Sequence, residues 1–292
     1  MPQSLMTDHG NGVVFLALAR NCARYLPAFF DFLERLSAEG ISVAAVVGEN
    51  GSTDGTLELL KSAGARARHV SYFDTSFIER IPGAQRTRRL GEARSALARF
   101  AAEHYPETKY ICVIDVDNVL LTMPSPQSFL ASAEKLYARS DIFGVSSVSY
   151  PYYYDLAALR CDEFFTENVL PLIAKNKRNI LRYYSFMQEN VYRVQRDFTA
   201  SDIRLCESAF NGLCIYKPAD YHLASYVDPS MSDVCEHVIL NLGIHRATGR
   251  KVLVDDSLAV AMPDEHGPQS LPYFVGSRAL KLAQRSIQRL RR

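Results

Sequence analysis

Two carboxylates one residue apart, Asp115 and Asp117, close the apolar run YICVI at 110–114. A run this short and this apolar reads as a buried strand. Side chains at i and i+2 of a strand share a face, so the two charges repel unless a proton or a cation sits between them. The pair therefore asks for a partner. A second polar stretch, ENGSTDGT at 49–56, also follows a buried strand and opens a helical pattern. Gly51 and Gly55 permit unusual backbone angles, and Ser52, Thr53 or Asp54 can cap the helix, which accounts for the turn composition. Glu49 is not explained by the turn. Its carboxylate follows the strand directly and can accept hydrogen bonds from a uracil or guanine edge or from ribose hydroxyls.

Residues placed this way need a scaffold that puts strand ends together. VVFLALA (13–19) precedes a stretch in which Leu26, Phe29, Phe30, Leu33 and Leu36 fall on one helical face. ISVAAVV (41–47) leads through the polar turn into TLELLKSAG, and RHVSYF (68–73) precedes a helical stretch over about 84–104 with Leu90, Leu97 and Phe100 inward. Strand and helix alternating at this spacing predict βαβ units and a mostly parallel sheet, with ligands bound at the carboxyl ends of the strands. The second half is less regular. It carries the aromatic run SVSYPYYYDLAALR (147–160), a strand over ESAFNGLCIYK (207–217), a helix over about 233–247 and a strand KVLVDDSLAV (251–260). No repeat, low-complexity segment or linker divides the chain, so one continuous domain is expected over 1–275, its nucleotide-binding half at about 11–120 and its acceptor-binding half at about 121–275.

The two motifs together resemble the nucleotide-sugar-dependent glycosyltransferases of the GT-A fold, which carry a loop like ENGSTDGT and a D-x-D at a strand end. ARNCARYLP (19–27), RRLGEARSAL (88–97), YYYDLAALR (152–160), FNGLCIY (210–216) and CEHV (235–238) extend the resemblance to the capsule-associated α-1,3-mannosyltransferase family and its bacterial relatives. The family usually has tryptophans near these motifs, and this chain has none. The resemblance implies a GT-A-like, Rossmann-type mostly parallel sheet flanked by helices. It implies metal-dependent transfer of a hexose, such as mannose, from a UDP- or GDP-hexose donor to a glycan or lipid-linked glycan acceptor in surface or capsular polysaccharide synthesis.

Residue by residue, the resemblance gives Glu49, Asn50, Gly51, Asp54, Arg94 and Asp115 to the nucleotide. Mn²⁺ or Mg²⁺ falls to Asp115, Asp117 and, from the C-terminal AMPDEHGP, His266, with Asp264 and Glu265 as fallback ligands. Arg94 would offset the phosphates or hold Asp115 in place, or else belong to a solvated basic helix face with Arg86, Arg88, Arg89 and Arg99. Tyr154, Asp155 and Arg160 would contact the acceptor; the tyrosines also suit a core. Glu207 and Glu236 are the candidate bases if the anomeric centre inverts. Glu236 also suits the first turn of a helix, where the macrodipole favours negative charge.

The chain as a whole sets further bounds. Its 292 residues with a net charge of +1 offer no field for nucleic acid. The six cysteines show neither C-x-x-C nor zinc spacing and read as reduced core thiols. The polar start lacks a signal-peptide pattern, and a cytoplasmic protein is expected, peripheral on the cytoplasmic face of a membrane. That placement comes from 276–292, which holds six basic side chains and no acidic one. At helical spacing Leu280, Ala283, Ile287 and Leu290 fall opposite Arg278, Lys281, Arg285, Arg289 and Arg292, a pattern that suits an anionic membrane surface or docking on the domain. Two rivals remain. IDVDNVL with VLVDDS (252–257) also matches a haloacid dehalogenase-type phosphatase using Asp115 as nucleophile. A non-catalytic glycan-binding protein on a decayed transferase fold is the other.

Overall fold

The computed structural model describes residues 12–66, 70–231 and 233–290, with Arg66 and 281–290 followed as backbone only. The chain opens β1 (Gly12–Ala19), α1 (Leu26–Ala38), β2 (Ser42–Glu49), α2 (Thr56–Arg66) and β3 (Val70–Asp74), then a 3₁₀ turn at Ser76–Arg80. α3 (Arg86–His104) leads into β4 (Tyr110–Asp115), followed by a 3₁₀ turn at Asn118–Leu121, α4 (Pro126–Ala138) and β5 (Ile142–Tyr150). A helical segment comes next: α5 (Val169–Asn176), then α6 (Ile180–Phe186), which passes through a π-helical stretch at Met187–Tyr192 into α7 (Arg193–Ala200). β6 (Leu205–Cys206), β7 (Leu213–Tyr216), α8 (Pro218–Tyr221), α9 (Glu236–Thr248), β8 (Lys251–Ala261) and α10 (Leu271–Leu290) complete it.

One eight-stranded sheet runs β3-β2-β1-β4-β7-β5-β8-β6. Its first four strands are parallel, and β2, β1 and β4 are buried on both sides, as strands covered by helices on both faces must be, while β3 at the edge is half-exposed. α1, α2 and α4 cover one face with Phe15, Phe29, Phe32 and Phe129 at the centre; α3 and α9 cover the other. On α1 it is Phe32 that is fully buried, while Phe30 packs at the margin. The other half of the sheet is mixed, because β7 runs antiparallel between β4 and β5 and β6 antiparallel to β8. The strand expected over 207–217 is therefore shorter: 207–212 is irregular, with Asn211 and Gly212 at φ 52° and 87°. A side chain on Gly212 would collide with the Tyr154 hydroxyl at 2.8 Å.

Parallel register decides where the site lies. Ala19 pairs with Glu49, Leu18 with Asp115, and Glu49 with Asp74, so the polar ends of four strands open on one edge.

Candidate active site

The loops that follow β1 and β2 interlock. Asn21, at φ 58°, donates its N–H to Ser52 Oγ at 3.0 Å and accepts from Thr53 N at 2.8 Å. Cys22 N donates to Thr56 Oγ1 at 2.8 Å, and Asp54 accepts from Ala23 N at 3.0 Å and Thr56 N at 3.1 Å. Glu49 is buried and accepts from Ser52 N at 2.6 Å and Gly51 N at 3.2 Å. Glu49, Gly51 and Asp54 thus shape the loop: both carboxylates accept from backbone N–H groups, and none of the three residues lines the cleft beside them. Asn50 does line it, with its side chain donating to Glu79 at 3.1 Å.

That cleft, about 860 Å³, lies over the carboxyl ends of β1, β2 and β4. Arg94 forms its inner wall. Its Nη2 donates to Asp115 Oδ1 at 2.8 Å and its Nε to Glu236 Oε1 at 3.2 Å, while its guanidinium lies 5.6 Å from the centre of the Phe210 ring. Burial works against its charge, but the two carboxylates hold it firmly protonated. Its Nη1 is buried without a partner. The approach of α3 that makes this possible depends on Gly91, where a Cβ would meet the Tyr226 carbonyl at 2.6 Å. Glu236 sits in the first turn of α9.

Beside this wall lie Asp155 and His237. Burial, then Asp115, raises the Asp155 carboxyl to about 7. His237 is stacked on Phe210 at 3.5 Å between ring centres, and burial followed by Arg94 drives its pKa far down, so the imidazole is neutral. Its Nδ1, like Arg94 Nη1, has no partner.

Asp117 ends the 115–117 pair by capping the following turn through Val119 N at 3.1 Å. Although it is exposed, the surrounding cleft and the charge of Asp115 push its carboxyl up to about 6. Two carboxylates one residue apart at a strand end suit a hard divalent cation, which takes oxygen ligands. Among the described residues no three His, Cys, Asp or Glu side chains converge tightly enough to form a metal site by themselves. The donor set fits a cation that draws its remaining ligands from a bound diphosphate. His266 lines the same cleft, stacked on Tyr154 at 5.4 Å and 3.8 Å from Glu265, with about half of its side chain exposed. The outer rim is basic: Arg20 and Arg89 reach Glu79 at 2.6 and 3.0 Å, and Arg86 lies among them and faces Asp117.

Three expectations part from the structure. Glu207 is buried against Lys251 and accepts from Asp162 N at 2.9 Å, away from the cleft, so it is no candidate base. Arg160 donates to the carbonyl of Ala157 at 3.3 Å and pairs by its backbone with Ser208; it braces its own loop rather than meeting an acceptor. Asp255 is buried against Lys135 at 2.6 Å while Asp256 turns to Arg204, in a stretch that bulges out of the β5–β8 ladder. The acidic pair required by the phosphatase reading is split and lies outside the cleft. Conversely, Arg20, Glu79, Phe210 and His237 line the cleft without having been expected there, and so do Arg86 and Arg89, which the sequence offers only as part of an alternative solvated helix face. The usable signal was position: Arg20 directly follows β1, and Phe210, His237 and Arg89 lie within FNGLCIY, CEHV and RRLGEARSAL, whereas Glu79 carries no such signal.

No protein-family model matches the chain, and no curated protein sequence does. Among solved structures it resembles glucosyl-3-phosphoglycerate synthase from Mycobacterium tuberculosis in complex with Mn²⁺, uridine diphosphate and phosphoglyceric acid, at 14% identity over 90% of this chain and 73% of that one, TM-score 0.49. It also resembles mannosyl-3-phosphoglycerate synthase from Rubrobacter xylanophilus, at 15% identity over 94% of this chain and 76% of that one, TM-score 0.49. A likeness of this degree assigns no activity.

Proposed function

We propose that this protein is a metal-dependent glycosyltransferase that moves a hexose from a nucleoside diphosphate donor to a glycan acceptor. The observation that carries the reading is the pair Asp115 and Asp117 at the mouth of β4, in a cleft of about 860 Å³ whose inner wall locks Asp115 through Arg94. Mn²⁺ or Mg²⁺ would be held by Asp117 and Asp115, with His266 closing the site, and would neutralise charge on the departing diphosphate. Arg94 fixes the rotamer of Asp115, so that carboxylate meets its ligand without reorganising. The basic rim of Arg20, Arg86 and Arg89 supports the phosphates, and Asn50 faces the nucleoside. Asp155, with a carboxyl near neutrality, accepts or returns a proton at an acceptor hydroxyl more readily than Glu236, which is tied to Arg94. Mannose is our choice of hexose, and a lipid-linked glycan of a surface or capsular polysaccharide, elongated at the cytoplasmic face of a membrane, is our choice of acceptor.

Calorimetric titration with UDP- and GDP-hexoses, with and without Mn²⁺, tests this. Metal-dependent binding of one donor is expected, together with loss of turnover in Asp117→Ala while the fold is kept. Full activity in excess EDTA would remove the reading.

A further inference from the structure

Two stretches of the chain contain no acidic residue, 168–188 and 267–292, and together they carry ten lysines and arginines. Among the described residues the fold lays the two stretches side by side. α6 and α10 run antiparallel: Gln188 Nε2 donates to the Gln269 carbonyl at 3.0 Å, Phe274 packs on Tyr183 and Tyr184 at 5.1 and 5.2 Å, and the Arg278 guanidinium lies over the Tyr183 ring at 5.0 Å. That register carries residues 180–181 toward the Leu280 end of α10. Phe274 is fully buried, so one face of α10 is spent on docking.

What remains outward is apolar and basic together. Ile180, Leu181, Leu271, Tyr273, Val275 and Leu280 are 38–62% exposed. Lys175, Lys177, Arg178 and Arg182 are exposed in the same region. Apolar side chains grouped at a surface mark an interaction site. A surrounding of cations selects an anionic partner with an apolar layer beneath its charge. A second copy of the chain fits poorly, because it would bring like charges together. No described helix is long and apolar enough to cross a bilayer, so the contact would be peripheral. Both stretches also leave from the cleft: Leu170 lines it at the start of α5, and Pro263, Glu265 and His266 line it just before α10.

We infer that α5, α6 and the first half of α10 form a platform that docks on an anionic phospholipid surface and sets the cleft mouth beside it. The weight thus shifts from the tail alone to α6. Of the tail's stripe, the side chains of Lys281, Ala283, Arg285, Ile287, Arg289 and Leu290, and Arg292 entirely, lie outside the described residues. Presentation of a lipid-borne acceptor to the cleft rests on the transferase reading; the platform does not.

The test is sedimentation of the full chain with vesicles of phosphatidylcholine, alone and mixed with phosphatidylglycerol, at low and high salt. Binding only to the mixed vesicles, lost at high salt, is expected. Lys177→Ala with Arg178→Ala should weaken it about thirtyfold, and Leu181→Ser with Tyr273→Ser about tenfold. All four side chains are exposed, so the melting temperature and turnover on a soluble acceptor should not move. Equal binding to both vesicle types, or variants that bind like the parent, would overturn the platform. So would a dimer in solution that Leu181→Ser dissolves, since that face would then be a self-interface. If the donor titration fails while vesicle binding holds, the transferase reading falls and the platform stands.

Discussion

Glu49 and Arg94 are buried to the same degree, each 6% exposed, and both sit near the carboxyl edge of the sheet. Glu49 closes its own surroundings: both oxygens accept from N–H groups two and three residues away, and the loop it shapes is stitched to the loop after β1. Arg94 reaches across the fold to Asp115 and Glu236 and still leaves Nη1 without a partner, beside an equally unpartnered His237 Nδ1. An unsatisfied buried donor is costly, so a fold that keeps one holds it for a ligand or a water. The motif that stands out in the sequence is thus a frame. Apart from Asn50, the cleft wall is assembled by residues that the motif does not contain.

Removing Arg94 should have the largest effect. Arg94→Met leaves Glu236 buried and uncompensated and should destabilise the fold by about 3–5 kcal/mol with loss of turnover, read by chemical denaturation. If stability barely changes, the inner wall is not held by charge.

Next in size is a pH effect. The Asp155 carboxyl is raised above its unfolded value, so the folded state binds the extra proton. Its contribution to stability is fully present below about pH 4 and is lost as the pH rises to about 7. Asp155→Asn should flatten that part of the stability curve, by at most roughly 4 kcal/mol. An unchanged curve would mean that this carboxyl titrates as it does in water.

Glu236 and Glu207 sharpen the contrast between cleft and scaffold. Glu236→Gln should lower kcat at least tenfold, whereas Glu207→Gln should leave kcat alone and cost about 1–2 kcal/mol of stability, since Lys251 can turn to water. Reversed outcomes would move the active centre from the cleft to the surroundings of Glu207. The smallest effect is expected at Glu49→Gln. The amide keeps one acceptor of the two, so stability should fall by about 1 kcal/mol with a modest rise in donor KM. A large loss of kcat would return Glu49 to direct contact with substrate.

The alternation of strand and helix through residue 115 was legible because period and turn chemistry are local, and the boundaries of β2, α3 and β4 fall within a few residues of the expected ones. The middle was not legible. The helical segment at 169–200 and β5 carry polar and aromatic residues without a clean period, and β7 shortened because Asn211 and Gly212 turn the chain out of the ladder. At the site, Asp115, Asp117, Asn50, Tyr154, Asp155, Glu236 and His266 all line one cleft, while Glu207 and Arg160 do not. Glu207 and Glu236 each follow a cysteine, and the strand and helix expected around them do not say which of the two faces the cleft.

By itself the sequence determined that two carboxylates would stand together at a strand end and that a capped loop would follow the second strand. Both follow from interactions within a few residues. Which acid faces the cleft was decided only by the tertiary structure: Arg94 and Glu236 are 142 residues apart and meet because α3 comes close enough, at Gly91, for its arginine to reach the first turn of α9. No local pattern encodes that distance. It is set by how two helices pack on the same face of the sheet.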